Sequence, residues 1–127
     1  MENIKSNNYI ENRPWGSFEI LTQFNTVGEG LNDTCVKKLT VKPNSKLSYQ
    51  SHKQRNEYWV IVQGEGEVII DGVVNKVKVG SQITILKNQK HRAVNTSGTV
   101  ELVIIESQTG HYDEEDIERF EDDYGRV

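Results

Sequence analysis

The sequence predicts an all-β sandwich or barrel. Short runs rich in Val, Ile and Thr recur from Trp15 to Ile105, and turn-forming residues separate them at intervals of about ten. No strong helical period interrupts them. The first two runs, 17–23 and 34–41, read as strands that lead to a turn at Pro43-Asn44. Strands at 47–52 and 57–62 follow, closed by Gly64-Glu65-Gly66. Between 67–70 and 73–77 stands Asp71-Gly72, a strong signal for a two-residue hairpin, since both central positions need positive φ and these residues tolerate it. A strand at 82–86 ends in the turn-forming Lys87-Asn88-Gln89-Lys90, and one at 91–95 ends in Thr96-Ser97-Gly98-Thr99, which leads into 100–106. A short helix is expected at 113–120, where acidic residues would sit near its positive N-terminal end.

At 127 residues the chain is expected to be one domain that buries roughly two-thirds of the surface its unfolded form exposes. Within it, 1–12 reads as a flexible or dimer-forming arm, 13–110 as the barrel and 111–127 as a tail. Hydrophobic content of 35% against 27% charged residues describes an ordinary soluble globular protein, and no apolar stretch approaches the ~20 residues of a membrane span. The first eight residues lack the apolar core of a secretion signal, and Cys35 alone cannot form an internal disulfide, so the cytoplasm is the expected compartment. The formal net charge is −4. Much of the acid lies between Asp113 and Asp123, which argues against a nucleic-acid partner.

Four residues stand out for their chemistry. Gln50 and His52 are two apart and so share one face of a strand, Glu57 can reach the same spot from the next strand, and His91 lies beyond a turn that can return it there. Two imidazoles, an amide oxygen and a carboxylate make a mixed nitrogen and oxygen set suited to zinc, manganese, cobalt, nickel or ferrous iron. His111 falls outside this pattern and reads as a surface residue. Trp15 and Trp59 read as core residues, and Cys35 as a buried inert thiol.

The spacing Asn44, Gln50, His52, Glu57, Gly64, followed by Gly80, Leu86, Asn88, His91, Asn95, resembles the two motifs of the cupin superfamily. That resemblance implies a jelly roll, a double-stranded β-helix barrel with a central metal. Asn44 and Asn88 stand where cupins usually have glycine, a mild departure because asparagine tolerates left-handed backbone. Leu86 replaces a usual proline and Gln50 a usual first histidine. A glutamine there, in Gln50-Ser51-His52-Lys53-Gln54-Arg55-Asn56-Glu57-Tyr58-Trp59, is similar to the isomerase domain of type II mannose-6-phosphate isomerases. The likeness extends to Arg13-Pro14-Trp15-Gly16, Gln108-Thr109-Gly110 and Tyr124-Gly125-Arg126. In that family the domain is commonly the C-terminal part of an enzyme that also carries mannose-1-phosphate guanylyltransferase.

The resemblance implies a metal-dependent interconversion of mannose 6-phosphate and fructose 6-phosphate, with Gln50, His52, Glu57 and His91 as ligands and Arg55 as a catalytic or substrate-orienting cation. Arginine keeps its proton at neutral pH and would act electrostatically, whereas Glu57 becomes the base candidate if it is not on the metal. Arg13, Lys38, Arg92 and Arg126 are the cations expected for the phosphate. The alternative function is a non-catalytic cupin that binds a sugar or sugar nucleotide in a glycan pathway, and a third reading is a ferrous dioxygenase or sugar epimerase. Exposed strands and the N-terminal arm lead to the expectation of a homodimer.

Overall fold

A computed structural model describes residues 5–24, 33–110 and 115–125. Among the described residues, eleven strands, all antiparallel where they pair, form two sheets. The six-stranded sheet has the order β1 (Lys5–Arg13), β2 (Gly16–Phe24), β3 (Asp33–Val41), β10 (Leu102–Gly110), β5 (Arg55–Gln63), β8 (Gln82–Ile85). The five-stranded sheet runs β11 (Glu118–Glu121), β4 (Tyr49–Ser51), β9 (His91–Asn95), β6 (Gly66–Ile70), β7 (Val73–Val77). Sheet neighbours that are distant in sequence, such as β3 and β10, give the jelly-roll connectivity expected of the motifs.

Turn chemistry fixes the register. Asp71 and Gly72 take φ of 47° and 82° and join Ile70 to Val73 as the two-residue hairpin that the sequence calls for. Asn44 and Asn88 adopt φ of 57° and 69°, so the asparagines do the left-handed work of the glycines they replace.

Period-two alternation then sorts side chains between core and solvent. On β5, Arg55, Glu57, Trp59 and Ile61 face inward, while Tyr58, Val60 and Val62 are exposed. The inward residues of β3 and β10 align with them, Leu39 with Ile104 and Ile61, then Lys37 with Glu106 and Trp59, then Cys35 with Gln108 and Glu57. One end of the barrel is therefore apolar, built on Val41, Leu102, Leu39, Ile104 and Ile61, and the other polar. Trp15 and Trp59 are buried core residues and Cys35 is a buried thiol, as expected.

Three expectations are corrected. The described residues contain no helix, and none long and apolar enough to cross a membrane. The expected helix at 113–120 is replaced, over its described part, by β11, which pairs Glu118 with Ser51 and Arg119 with Gln50. The open edge of β4 offers this segment a ladder of hydrogen bonds, and alternation brings Ile117 and Arg119 to the cavity wall, which outweighs the weak helical preference of an isolated acidic turn. Residues 5–12, expected within a flexible or dimer-forming arm, belong to β1 and pair with β2 of the same chain. Strand β10 runs on to Gly110 rather than stopping at Glu106, because β3 and β5 flank it along its length.

Candidate metal centre

The polar end of the barrel opens into a cavity lined by Arg13, Lys37, Gln50, His52, Arg55, Glu57, Glu106, Gln108 and Arg119, with Trp15, Phe18, Leu39, Leu47 and Ile117 as its apolar wall. His52 follows β4, Glu57 is the third residue of β5, and His91 opens β9. Their nearest ligand atoms all lie within 4.8 Å of one another, and all three residues are buried. His52 Nε2 is 3.2 Å from Glu57 Oε2, and His91 Nε2 is 3.7 Å from Glu57 Oε1.

Each imidazole is held from behind. His52 Nδ1 lies 2.6 Å from the carbonyl oxygen of Asp116, and His91 Nδ1 lies 3.0 Å from that of Gln89. A carbonyl can only accept, so each Nδ1 carries the proton and each Nε2 turns a lone pair inward. His91 Nε2 is buried with no hydrogen-bond partner. An orphaned imidazole nitrogen, a second imidazole of the same tautomer and a buried carboxylate fit a divalent cation, and histidine metal ligands are commonly anchored through their other nitrogen in this way.

Electrostatics agree. Burial pushes the His52 imidazole down to about 4, against the opposing pull of Glu57, so its Nε2 lone pair is available at neutral pH. Burial alone would raise Glu57, but His91, His52 and Arg55 outweigh it and hold the carboxyl well below the usual range. Arg55 Nε donates to Glu57 Oε2 at 3.0 Å, and its Nη2 lies 3.2 Å from His52 Nε2, so the guanidinium lies against two of the donors. Trp59 Nε1 donates to both Glu57 Oε1 (3.1 Å) and Glu106 Oε2 (3.0 Å). Burial and the charge of Glu57 push Glu106 up to about 8. Two carboxyls in one cavity thus differ, Glu57 ionised and Glu106 protonated at neutral pH.

The other expected site residues divide. Gln50 lines the cavity opposite His91 in register, and its Oε1 accepts from Ser48 Oγ at 2.7 Å. Arg13 reaches the cavity while paired with Glu11. Lys38 is exposed on the outer face of β3, and by alternation Lys37 takes the inward place. Arg92 is buried outside the cavity, where its Nε donates to the carbonyl of Leu47 at 2.9 Å and its Nη1 lies 3.4 Å from Glu121. Its neighbour His91 faces inward, so alternation turns Arg92 away. Arg126 and His111 lie outside the described residues. Lys37, Glu106, Gln108, Asp116 and Arg119 were not singled out from the sequence. The first three continue the alternation of Leu39 and Ile104 past the apolar stretch, a signal present in the sequence, whereas Asp116 and Arg119 arrive through the pairing of β11.

Two sheets with this strand order and a His, Glu, His cluster between them define a cupin. Solved structures show the same fold: CapF, a capsular polysaccharide assembling protein from Staphylococcus aureus, superposes with a TM-score of 0.74 at 18% identity over 90% of this chain and 34% of that one. An RmlC-like cupin from Shewanella frigidimarina does so with a TM-score of 0.65 at 20% identity, over 84% and 86% of the two chains. The chain belongs to the family described as mannose-6-phosphate isomerase C-terminal, whose model matches residues 2–122. It is 39% identical to the mannose-1-phosphate guanylyltransferase ManC of Salmonella typhimurium over 91% of its own length and 22% of that protein's. It is 40% identical to the alginate biosynthesis protein AlgA of Pseudomonas putida over 97% of its own length and 24% of AlgA's. The chain thus spans about a quarter of the length of these curated relatives.

Proposed function

We propose that the chain is a metal-dependent phosphosugar isomerase that interconverts mannose 6-phosphate and fructose 6-phosphate. The observation that carries this reading is the orphaned Nε2 of His91, directed at Glu57 and His52 in a chain of the isomerase C-terminal family. His52, Glu57 and His91 would hold a divalent metal, with the Gln50 amide on the same wall, and a bound metal supplies Lewis-acid stabilisation of sugar oxygens.

The chain's own residues do the rest. Aldose–ketose exchange moves a proton between adjacent carbons and builds negative charge on the sugar oxygens. Arg55, permanently charged and buried beside Glu57, stabilises that charge without itself acting as base. Glu57, held well below the usual carboxyl range, serves better as an anionic ligand than as a proton acceptor. With Arg55 beside Glu57, the other cations that line the cavity and would meet the phosphate are Arg13, Lys37 and Arg119. The apolar wall of Trp15, Phe18 and Leu47 limits the entry of water.

The test pairs metal analysis with an assay coupled to fructose 6-phosphate. Purified protein loaded with zinc, manganese or cobalt should convert mannose 6-phosphate, and a chelator or His91→Ala should abolish turnover. Metal-replete protein without turnover refutes the isomerase. A second reading, a non-catalytic cupin that binds a sugar or sugar nucleotide in a glycan pathway, is favoured by relatives named as a mannose-1-phosphate guanylyltransferase and an alginate biosynthesis protein. It predicts stabilisation by sugar phosphate without conversion.

A further inference from the structure

Gln108 sits on β10 directly opposite Glu57 of β5, with Cys35 of β3 on its other side. Its side chain borders the cavity and is 2% exposed. Nε2 donates to Glu106 Oε1 at 2.6 Å, while Oε1 is buried with no hydrogen-bond partner. Turning the amide over would only transfer the deficit to Nε2. An unmatched amide atom disfavours the folded state, and an apolar side chain of similar volume would remove that cost. In a cavity wall, such an atom marks the place where a bound molecule supplies the missing partner.

The surroundings restrict what that partner is. The carboxyls of Glu57 and Glu106 flank Gln108, so an anionic group is disfavoured there, and an apolar group would leave the deficit uncorrected. A neutral hydroxyl both donates and accepts and so satisfies the amide in either orientation. Resting on the phosphosugar reading, the geometry points to Gln108 as a specificity-determining residue that hydrogen-bonds a sugar hydroxyl beside the His52, Glu57 and His91 donors. The phosphate then lies at the cavity cations Arg13, Lys37 and Arg119.

The test compares wild type with Gln108→Leu, and with Gln108→Met should the first variant fail to fold, both metal-loaded. Calorimetry would measure affinity for mannose 6-phosphate, for its monodeoxy analogues and for inorganic phosphate. Wild type should bind one deoxy analogue roughly 10- to 100-fold more weakly than the parent sugar phosphate, and the variant should bind the two alike. Metal content and phosphate affinity should be unchanged. A variant that discriminates as wild type does, or that loses metal, overturns the assignment of Gln108 and leaves the isomerase reading standing. Wild type that binds no sugar phosphate overturns both.

Discussion

Asp116→Ala should loosen the metal centre from outside it. The Asp116 carboxylate accepts the backbone N–H of Lys53 at 2.9 Å through Oδ1 and that of Gln54 at 2.9 Å through Oδ2, while its carbonyl takes the His52 Nδ1 proton at 2.6 Å. One residue thereby fixes the loop after His52 and the ring itself. The two carboxylate bonds are solvent-accessible, so their loss should cost about 2 kcal/mol or less. The larger effect is indirect: a carbonyl that is no longer anchored leaves the ring free to turn, and losing such a support typically weakens metal binding by about 10- to 100-fold, or roughly 1.4 to 2.7 kcal/mol. Competition against a chromophoric chelator would measure the affinity, and amide hydrogen exchange at Lys53 and Gln54 would report the loop. Asp116→Asn keeps one acceptor and should fall between the two. Affinity within twofold of wild type in the alanine variant, despite faster exchange at both amides, would refute the claim that the clamp positions His52.

The protonated carboxyl of Glu106 makes the metal-free protein sensitive to alkali. Its folded pKa of about 8 lies above the ordinary 4.5, so its contribution is complete below pH 4.5 and is lost as the pH rises through 8. The unfolding free energy from denaturant titration should fall by about 1.4 kcal/mol per pH unit between the ordinary histidine range and pH ~7.5, and Glu106→Gln should flatten that slope; an equal slope in the variant would show that another group titrates. Asn95 staples three strand ends, its Nδ2 donating to the carbonyls of Val41 (2.9 Å), Lys42 (3.1 Å) and Val100 (2.9 Å) while Oδ1 accepts from Ser97 N at 3.0 Å. Asn95→Asp sets a carboxylate against those oxygens and should cost about 3 kcal/mol or more in urea denaturation, a loss that grows with pH; a cost below about 1 kcal/mol would contradict the staple.

Much of this was legible in the sequence because it is local. Alternation along 57–62 fixes which face carries Glu57, and Asp71-Gly72 fixes a hairpin through φ preferences that need no tertiary context. The motif spacing points to His52, Glu57 and His91, whose ligand atoms the fold brings within 4.8 Å of one another. What escaped depends on partners distant in the chain. The pairing of β11 with β4 spans more than sixty residues, and an acidic run carries no mark of the edge it will join. The exchange of Lys38 for Lys37 is a phase error of one residue on β3, enough to turn a side chain from the cavity to solvent. Gln108 was missed because a strand ended at 106 leaves it in a loop, where its inward phase cannot be read.

The same sensitivity to phase explains how the cavity is assembled. Strands β5 and β10 pair Val103 with Gln63 but Ile104 with Ile61, so Val62 is an extra residue in a bulge. Continued without it, the register would set Ile104 opposite Val62 and carry Gln108 to Tyr58, an outward residue. With it, the inward sets of the two strands fall into step, Ile104 with Ile61 at the apolar end, Glu106 with Trp59, and Gln108 with Glu57 at the open end. The bulge lies at the apolar end of the barrel, yet it decides which residues meet at the cavity, because a pleated strand transmits a one-residue offset undiminished along its length. Chemistry at the polar end is thus set by packing at the other. Ile61 and Ile104, fully buried and paired with each other next to the bulge, hold the phase on which the alignment of Gln108 with Glu57 depends.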